Sequence, residues 1–138
     1  MAREPDRGGG GGARYLPRWE VGDVIGAVVV VDVLRAFTTA AYAFAGGARS
    51  IHLVGTVEEA VAFKAARPGV LAMGEDGGRR QAGFDFSNSP VEVSQADLRG
   101  RDLVQRTGAG VQGALAARSG ATACGAPVSC APRPPRGP

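Results

Sequence analysis

The feature that most constrains this chain is a β-branched run that ends abruptly at an acidic residue. Residues 24–31 read VIGAVVVV, and Asp32 follows directly. A continuous run of this kind predicts a central strand of a parallel sheet, buried on both faces, because a strand with one solvated face usually alternates. The run is interrupted at Gly26 and is far shorter than the roughly 20 residues that a membrane span requires, so no membrane segment is predicted.

Strands and helices alternate along the rest of the chain. A helix is predicted from Leu34 to Ala45, with a glycine stop after it, and Thr56 and Glu59 have the spacing of a capping box. Ser89 followed by Pro90 predicts a further helix start. Further strands are predicted at 51–54, 70–73 and 103–105, with a last helix from about 111 to 118. This order predicts an α/β fold, layered α/β/α, with a mainly parallel sheet.

The two ends of the chain differ from its body in composition. Residues 1–19 are rich in Gly and Arg and predict a flexible leader, whereas residues 119–138 hold five of the nine prolines and predict a disordered tail. The alternation stops partway at the end of the body, residues 20–118. We therefore interpret the body as the N-terminal part of an incomplete domain, with a frameshift or premature truncation as the hypothesis.

Charge and cysteine usage exclude several classes of protein. The net charge of +3 comes from the two ends, because residues 20–118 carry ten basic and eleven acidic side chains. This distribution argues against nucleic-acid binding. Cys124 and Cys130 lack the spacing of a zinc site, the body offers them no disulfide partner, and no signal peptide precedes them. These features fit a cytoplasmic protein.

Polar residues follow three of the predicted strands at the point where each ends. Ligands of open α/β sheets bind beyond the carboxyl ends of the strands, where Asp32, Glu75 and the loop Thr107–Gly110 lie in sequence. Carboxylates can hold Mg²⁺, and a bound Mg²⁺ can neutralise phosphate charge. Arg35 offers a planar fork for anions, and loop amides before a helix can bind phosphate. The pattern therefore favours hydrolysis of a phosphate ester.

Each of these residues also has a purely structural interpretation. Asp32 could cap the helix that follows it, and Arg35 could lie on the surface of the first turn. The remaining polar residues have packing, turn or capping alternatives: Thr38, Thr39, Glu75, Asp76, Asp85, Asn88 and Ser89. The only histidine, His52, lies within a predicted strand and is interpreted as structural.

Several ordered motifs resemble one known family. The segment VVVVDVLRAFTTAAYAFAGGARSIHLVGTVEEAVAFK resembles the start of the 2-phosphosulfolactate phosphatase (ComB-like) family, and MGEDGGRRQAGFDFSNSPVEV and LVQRTGAGVQGALAA resemble its later elements. The resemblance covers residues 24–118. It implies Mg²⁺-dependent hydrolysis of 2-phospho-3-sulfolactate to 3-sulfolactate and phosphate, within coenzyme M synthesis.

The resemblance also implies a set of site residues by motif match. Catalysis is expected of Asp32, Arg35 and Glu75, and the expected metal ligands are Asp32, Glu75 and Asp85. Substrate binding is expected of Arg35, Thr38, Thr39, Asn88, Ser89, Thr107 and Gly108. The partner is then a small anionic phosphate ester, and self-association into a homo-oligomer is left open. Two alternatives stay open as well: a truncated, non-catalytic remnant and a phosphate-binding module.

Overall fold

A three-stranded parallel sheet forms the centre of the molecule. The computed structural model describes residues 14–21, 24, 26–32 and 35–117, together with the backbone of residues 121–127. In it, strand β4 (Asp102–Arg106) lies between β2 (Ser50–Leu53) and β3 (Leu71–Gly74), and both neighbours run parallel to it. The predicted α/β class and its parallel sheet are confirmed. The carboxyl ends of these three strands therefore meet at one edge.

Helices cover both faces of this sheet. Successive β4 side chains point to opposite sides, so each face carries apolar residues that a helix can bury. Helix α1 (Ala36–Ala45) and helix α3 (Pro90–Ser94) lie on the face that carries Leu103. Helix α2 (Val57–Ala66) lies on the face that carries Val104. The two apolar clusters comprise Ala43, Ala48, Met73, Val93, Leu98 and Leu103 on one side, and Ala60, Val70, Ala72, Phe84 and Val104 on the other. The layers predicted from the sequence are present.

The helix starts follow the local sequence signals. Thr56 Oγ1 accepts a hydrogen bond from the Glu59 backbone N–H at 3.1 Å, and the Glu59 carboxylate accepts from the Thr56 N–H at 3.2 Å. This reciprocal pair satisfies amide donors that the first turn leaves without helical partners. Ser89 caps α3 through its own side chain, with Pro90 at the first helical position. Residue 34, where the predicted first helix begins, is outside the described ranges.

Strand β1 (Gly26–Asp32) differs from the expected central strand. It pairs in parallel with β5 (Ala121–Pro127) in a separate two-stranded sheet. Its exposure alternates: Val28 and Val30 are half-buried, whereas Val29 and Val31 are 61% and 59% exposed. The prediction of burial on both faces is wrong, because a β-branched run fits one covered face as well as two, and composition alone does not distinguish them.

Both chain ends contribute structure that the sequence pattern does not predict. The tail from residue 119 is expected to be disordered, but the backbone of residues 121–127 forms β5, with Gly26 opposite Ala121 and Asp32 opposite Pro127. Ladder pairing uses backbone groups, so it does not require the side-chain period that this segment lacks. Near the other end, a 3₁₀ turn at Arg18–Glu20 contacts helix α4 (Gly110–Ala116). Residues 1–13 of the predicted leader, and the predicted tail apart from the backbone of 121–127, lie outside the described residues.

Within the described ranges, no helix combines the length and the apolar character that crossing a membrane requires.

Gly74 offers a test of how tightly β3 and β4 are joined. Its φ is +135°, and a Cβ there would overlap the Arg106 carbonyl oxygen. We expect Gly74→Ala to lower the free energy of unfolding by about 3 kcal/mol, since it combines backbone strain with overpacking. Urea denaturation gives the value.

Gly100→Ala is the matched control. Gly100 also has a positive φ, of +69°, but no atom lies within 4 Å of a Cβ placed there. This variant should lose only about 1 kcal/mol, from backbone strain alone. Equal losses in the two variants would contradict the close approach of the strands.

Candidate active site

Two carboxylates contact one glycine-containing loop at the carboxyl edge of the sheet. The loop, Thr107–Gly110, joins β4 to α4. The Gly108 N–H donates to Glu75 Oε1 at 2.6 Å. On the same loop, a Cβ at Gly110 would lie only 2.8 Å from Asp32 Oδ2. The structure therefore brings together Asp32, Glu75 and the loop, which the sequence assigns to three different strand ends.

Glu75 is held in place by backbone donors on both sides. Its N–H donates to the Arg106 carbonyl at 3.0 Å, which continues the β3–β4 pairing by one residue. Its Oε2 accepts from the Gly78 N–H at 2.8 Å, while Oε1 accepts from Gly108. A carboxylate offers about four acceptor positions, so these two bonds leave acceptor capacity for a metal ion.

Asp32 bonds the first amide of the helix that follows it and also lies within the site. Its side chain is nearly buried, at 8% exposure, and Oδ2 accepts from the Ala36 N–H at 2.6 Å. The N-cap residue of α1 is Arg35, and Asp32 satisfies the first helical amide from three residues before that cap. This bond does not compete with the site interpretation, because the same carboxylate lies against Gly110 and a carboxylate offers several acceptor positions.

Arg35 is the one non-glycine residue with a positive φ in the part of the chain that the structure describes, at +87°. Side chains other than glycine rarely adopt this region, and holding one there costs about 1–2 kcal/mol. Arg35 precedes α1, and its carbonyl accepts from the Thr39 N–H at 2.7 Å. Its side chain is exposed, beside the Asp32–Ala36 contact. Local strain at this position is a feature of functional sites.

Three buried side-chain atoms lack a hydrogen-bond partner among the described residues: Thr39 Oγ1, Asn88 Oδ1 and Gln105 Oε1. Thr39 and Gln105 are fully buried, and Gln105 Nε2 donates to the Ala36 carbonyl at 2.9 Å. A buried polar atom left in this state costs about 1–3 kcal/mol. All three atoms are oxygens, the donor type that Mg²⁺ and its bound water prefer. The Asp32 carboxylate, which lies against Gly110, offers oxygens of the same type.

Asp85 lies away from the other two predicted metal ligands. Its Oδ2 accepts from Lys64 Nζ and from the Ala72 N–H, each at 2.7 Å. In the described part of the chain, no group of three or more His, Cys, Asp or Glu side chains could hold a metal. The structure therefore does not bring the three predicted carboxylates together as one group. Asp85 instead anchors the loop of residues 75–89, which connects β3 to α3, to Ala72 of β3 and to Lys64 of α2.

The remaining predicted residues have mixed surroundings. Thr107 is buried, and its hydroxyl accepts from the Val111 N–H at 3.2 Å at the start of α4. The Ser89 hydroxyl accepts from the Glu92 N–H at 3.4 Å, so Ser89 caps α3, as its structural interpretation predicts. The Glu92 carboxylate accepts from the backbone N–H and the hydroxyl of Ser87, which lower its pKa. Thr38 is half-buried on α1.

Two further residues at this edge are missing from the sequence prediction. Gln105 is one, and its signal is a polar residue directly after the apolar pair Leu103–Val104 of β4. Arg106 is the other: its Nη1 donates to the Glu75 carbonyl at 2.8 Å and to Asp76 Oδ1 at 2.6 Å. It thereby holds the segment after β3 against the end of β4. Its sequence context, a basic residue before a glycine loop, does not distinguish this role from a surface position.

A parallel α/β sheet with two carboxylates and a glycine-containing loop at its carboxyl edge is a framework suited to anion and metal binding. The family model of 2-phosphosulpholactate phosphatase matches residues 17–127, and the chain belongs to that family. The match begins one residue before the Arg18–Glu20 turn and ends with β5. It thus extends beyond the range of the sequence resemblance at both ends.

Curated relatives give the same result. A probable 2-phosphosulfolactate phosphatase of Bacillus subtilis is 45% identical over 89 residues, covering 64% of this chain and 39% of the relative. One of Deinococcus radiodurans is 47% identical over 79 residues, covering 57% of this chain and 33% of the relative. One of Thermus thermophilus is 42% identical over 90 residues, covering 65% and 37%. The aligned part therefore spans less than two fifths of each relative.

Two substitutions at Arg35 separate the effect of its backbone strain from the effect of its charge. Arg35→Gly removes the strain at φ +87°, and Arg35→Ala retains it, while both remove the guanidinium. We expect the glycine variant to be more stable than the alanine variant by about 1 kcal/mol in urea denaturation. Inorganic phosphate affinity, measured by calorimetry, should fall about fivefold in both.

A glycine variant no more stable than the alanine variant would show that the backbone at Arg35 is not strained. An unchanged phosphate affinity in both would remove Arg35 from the anion site.

Proposed function

We propose that this chain belongs to a Mg²⁺-dependent phosphatase that hydrolyses 2-phospho-3-sulfolactate to 3-sulfolactate and phosphate. The observation that carries the proposal is the contact of two carboxylates with one glycine-containing loop: Glu75 with Gly108, and Asp32 with Gly110. Family membership and the names of the curated relatives support the substrate and the reaction class. A cytoplasmic location and a place in coenzyme M synthesis belong to the same proposal.

The proposed roles follow from the contacts of each residue. Asp32 and Glu75 would hold Mg²⁺, which when bound neutralises phosphate charge and polarises a phosphoryl oxygen. Arg35 binds the phosphate oxygens with its planar fork, which matches the geometry of a phosphate group. In the reaction, a water oxygen bonds to phosphorus, the bond from phosphorus to the ester oxygen breaks, and a proton passes to the leaving alkoxide.

A phosphate-binding module without turnover is the second candidate. At the loop, the Gly108 N–H is already used by Glu75 Oε1, so a phosphate oxygen approaching it would compete for the same donor. Two anionic groups cannot share that donor without repulsion, unless a cation lies between them. Binding that needs Mg²⁺ but releases no product would identify this candidate.

Substitutions at the three predicted metal ligands test the assignment. We expect Asp32→Asn and Glu75→Gln each to lower Mg²⁺-dependent phosphate release about 100-fold or more, because each removes a charge next to the phosphate. The Oδ1 of Asn at position 32 can still accept from the Ala36 N–H, so the helix start is preserved. Phosphate release from 2-phospho-3-sulfolactate, assayed with Mg²⁺ and with a chelator, gives the result.

Asp85→Asn is the matched control, since Asp85 bonds Lys64 and Ala72 instead of the loop. It should lose about 1 kcal/mol of unfolding free energy but keep its activity within about threefold. An active Asp32→Asn variant, or an Asp85→Asn variant as inactive as the others, would refute the assignment.

A further inference from the structure

Arg18 reaches the glycine-containing loop from the opposite end of the sequence. It begins the 3₁₀ turn Arg18–Glu20, which contacts α4, and its Nη1 donates to the Gly108 carbonyl at 3.3 Å. The Gly108 N–H meanwhile donates to Glu75. One residue of the loop is thus bonded to a cation through its carbonyl and to an anion through its amide.

The charge of Arg18 is not neutralised by a carboxylate within the described residues. Four cations of the same part of the chain are paired with carboxylates, in Arg49–Asp102, Lys64–Asp85, Arg99–Asp97 and Arg106–Asp76, whereas Arg18 is one of seven arginines there that are not. Arg18 instead donates to a neutral carbonyl, which uses one of the five N–H donors of a guanidinium. Its side chain is exposed, so the other donors are accessible to a ligand.

Arg18 and Arg35 come from different elements, and each lies beside a different residue of the site. Arg35 precedes α1 beside Asp32, whereas Arg18 lies at Gly108 beside α4. A simple phosphate monoester presents one anionic group, which Arg35 and a metal ion would neutralise. A second guanidinium on a separate element fits a ligand that carries two anionic groups at a distance from each other.

We propose that Arg18 is a specificity-determining residue that binds a second anionic group, a carboxylate or a sulfonate. This group lies on the organic part of the ester, which hydrolysis releases as the alcohol. The inference rests on the proposed phosphatase function, and it names the residue that selects polyanionic esters over simple ones. The segment that carries Arg18 falls in the predicted flexible leader, so its sequence position alone gives no indication of this role.

The test compares two ligands in the presence of Mg²⁺ by calorimetry. Methyl phosphate carries one anionic group, and phosphoglycolate carries a phosphate and a carboxylate. We expect Arg18→Ala to weaken phosphoglycolate binding about fivefold to tenfold and methyl phosphate binding by less than about twofold. Arg18→Lys should restore part of the affinity for phosphoglycolate, because it restores the charge without the fork.

Arg14→Ala is the matched control, since Arg14 is an exposed arginine four residues earlier in the same segment. It should leave both affinities unchanged, and thermal unfolding checks that both alanine variants keep the fold. If Arg18→Ala weakens both ligands equally, or neither, the inference is wrong while the phosphate site stands. If the unaltered chain binds neither ligand, the proposed function fails and takes the inference with it.

Discussion

The close approach of β3 to β4 at Gly74 sets the geometry of the whole carboxyl edge. Only a residue without a Cβ can pass the Arg106 carbonyl at this point, and Glu75 follows directly. Its N–H then bonds the same carbonyl, which turns its carboxylate towards Gly108. Arg106 completes the arrangement from its side chain, which bonds the Glu75 carbonyl and Asp76. The site thus depends on a main-chain contact as much as on its charged groups.

The two carboxylates differ in how firmly the structure fixes them. Asp32 is nearly buried and bound to the first amide of α1, so its position follows from the start of that helix. Glu75 belongs to a loop, and its two amide partners come from two loops. Loops are usually more mobile than the elements they connect. A firmly held carboxylate beside a more adaptable one suits the proposed site, which must accept a substrate and release a product.

Local signals in the sequence were sufficient for the helices and strands between residues 26 and 116, though not for the Arg18–Glu20 turn or β5, and for grouping Asp32 and Glu75 at one candidate site. The Thr56–Glu59 capping box and the Ser89–Pro90 helix start occur as predicted, since each depends on neighbours within a few residues. Asp85 could not be assigned in this way, because its partner Lys64 is 21 positions away and the pairing exists only in three dimensions. Arg18 and Gly108 are separated by 90 positions, so their contact is equally hidden. The one-sided burial of β1 depends on which elements cover it, which composition does not encode.

Because exposure alternates along β1, the face on which Asp32 lies depends on the number of residues in the strand before it. Asp32 shares the inward face with Val28 and Val30, because side chains of a strand repeat every second residue. A deletion or insertion of one residue within this strand would move Asp32 to the outward face and bring Val29 and Val31 inward. Replacement of a single valine leaves every residue of the strand on its original face. Gene variants of unequal length here would therefore be far more damaging to the site than point changes, even where every residue of the strand remains apolar.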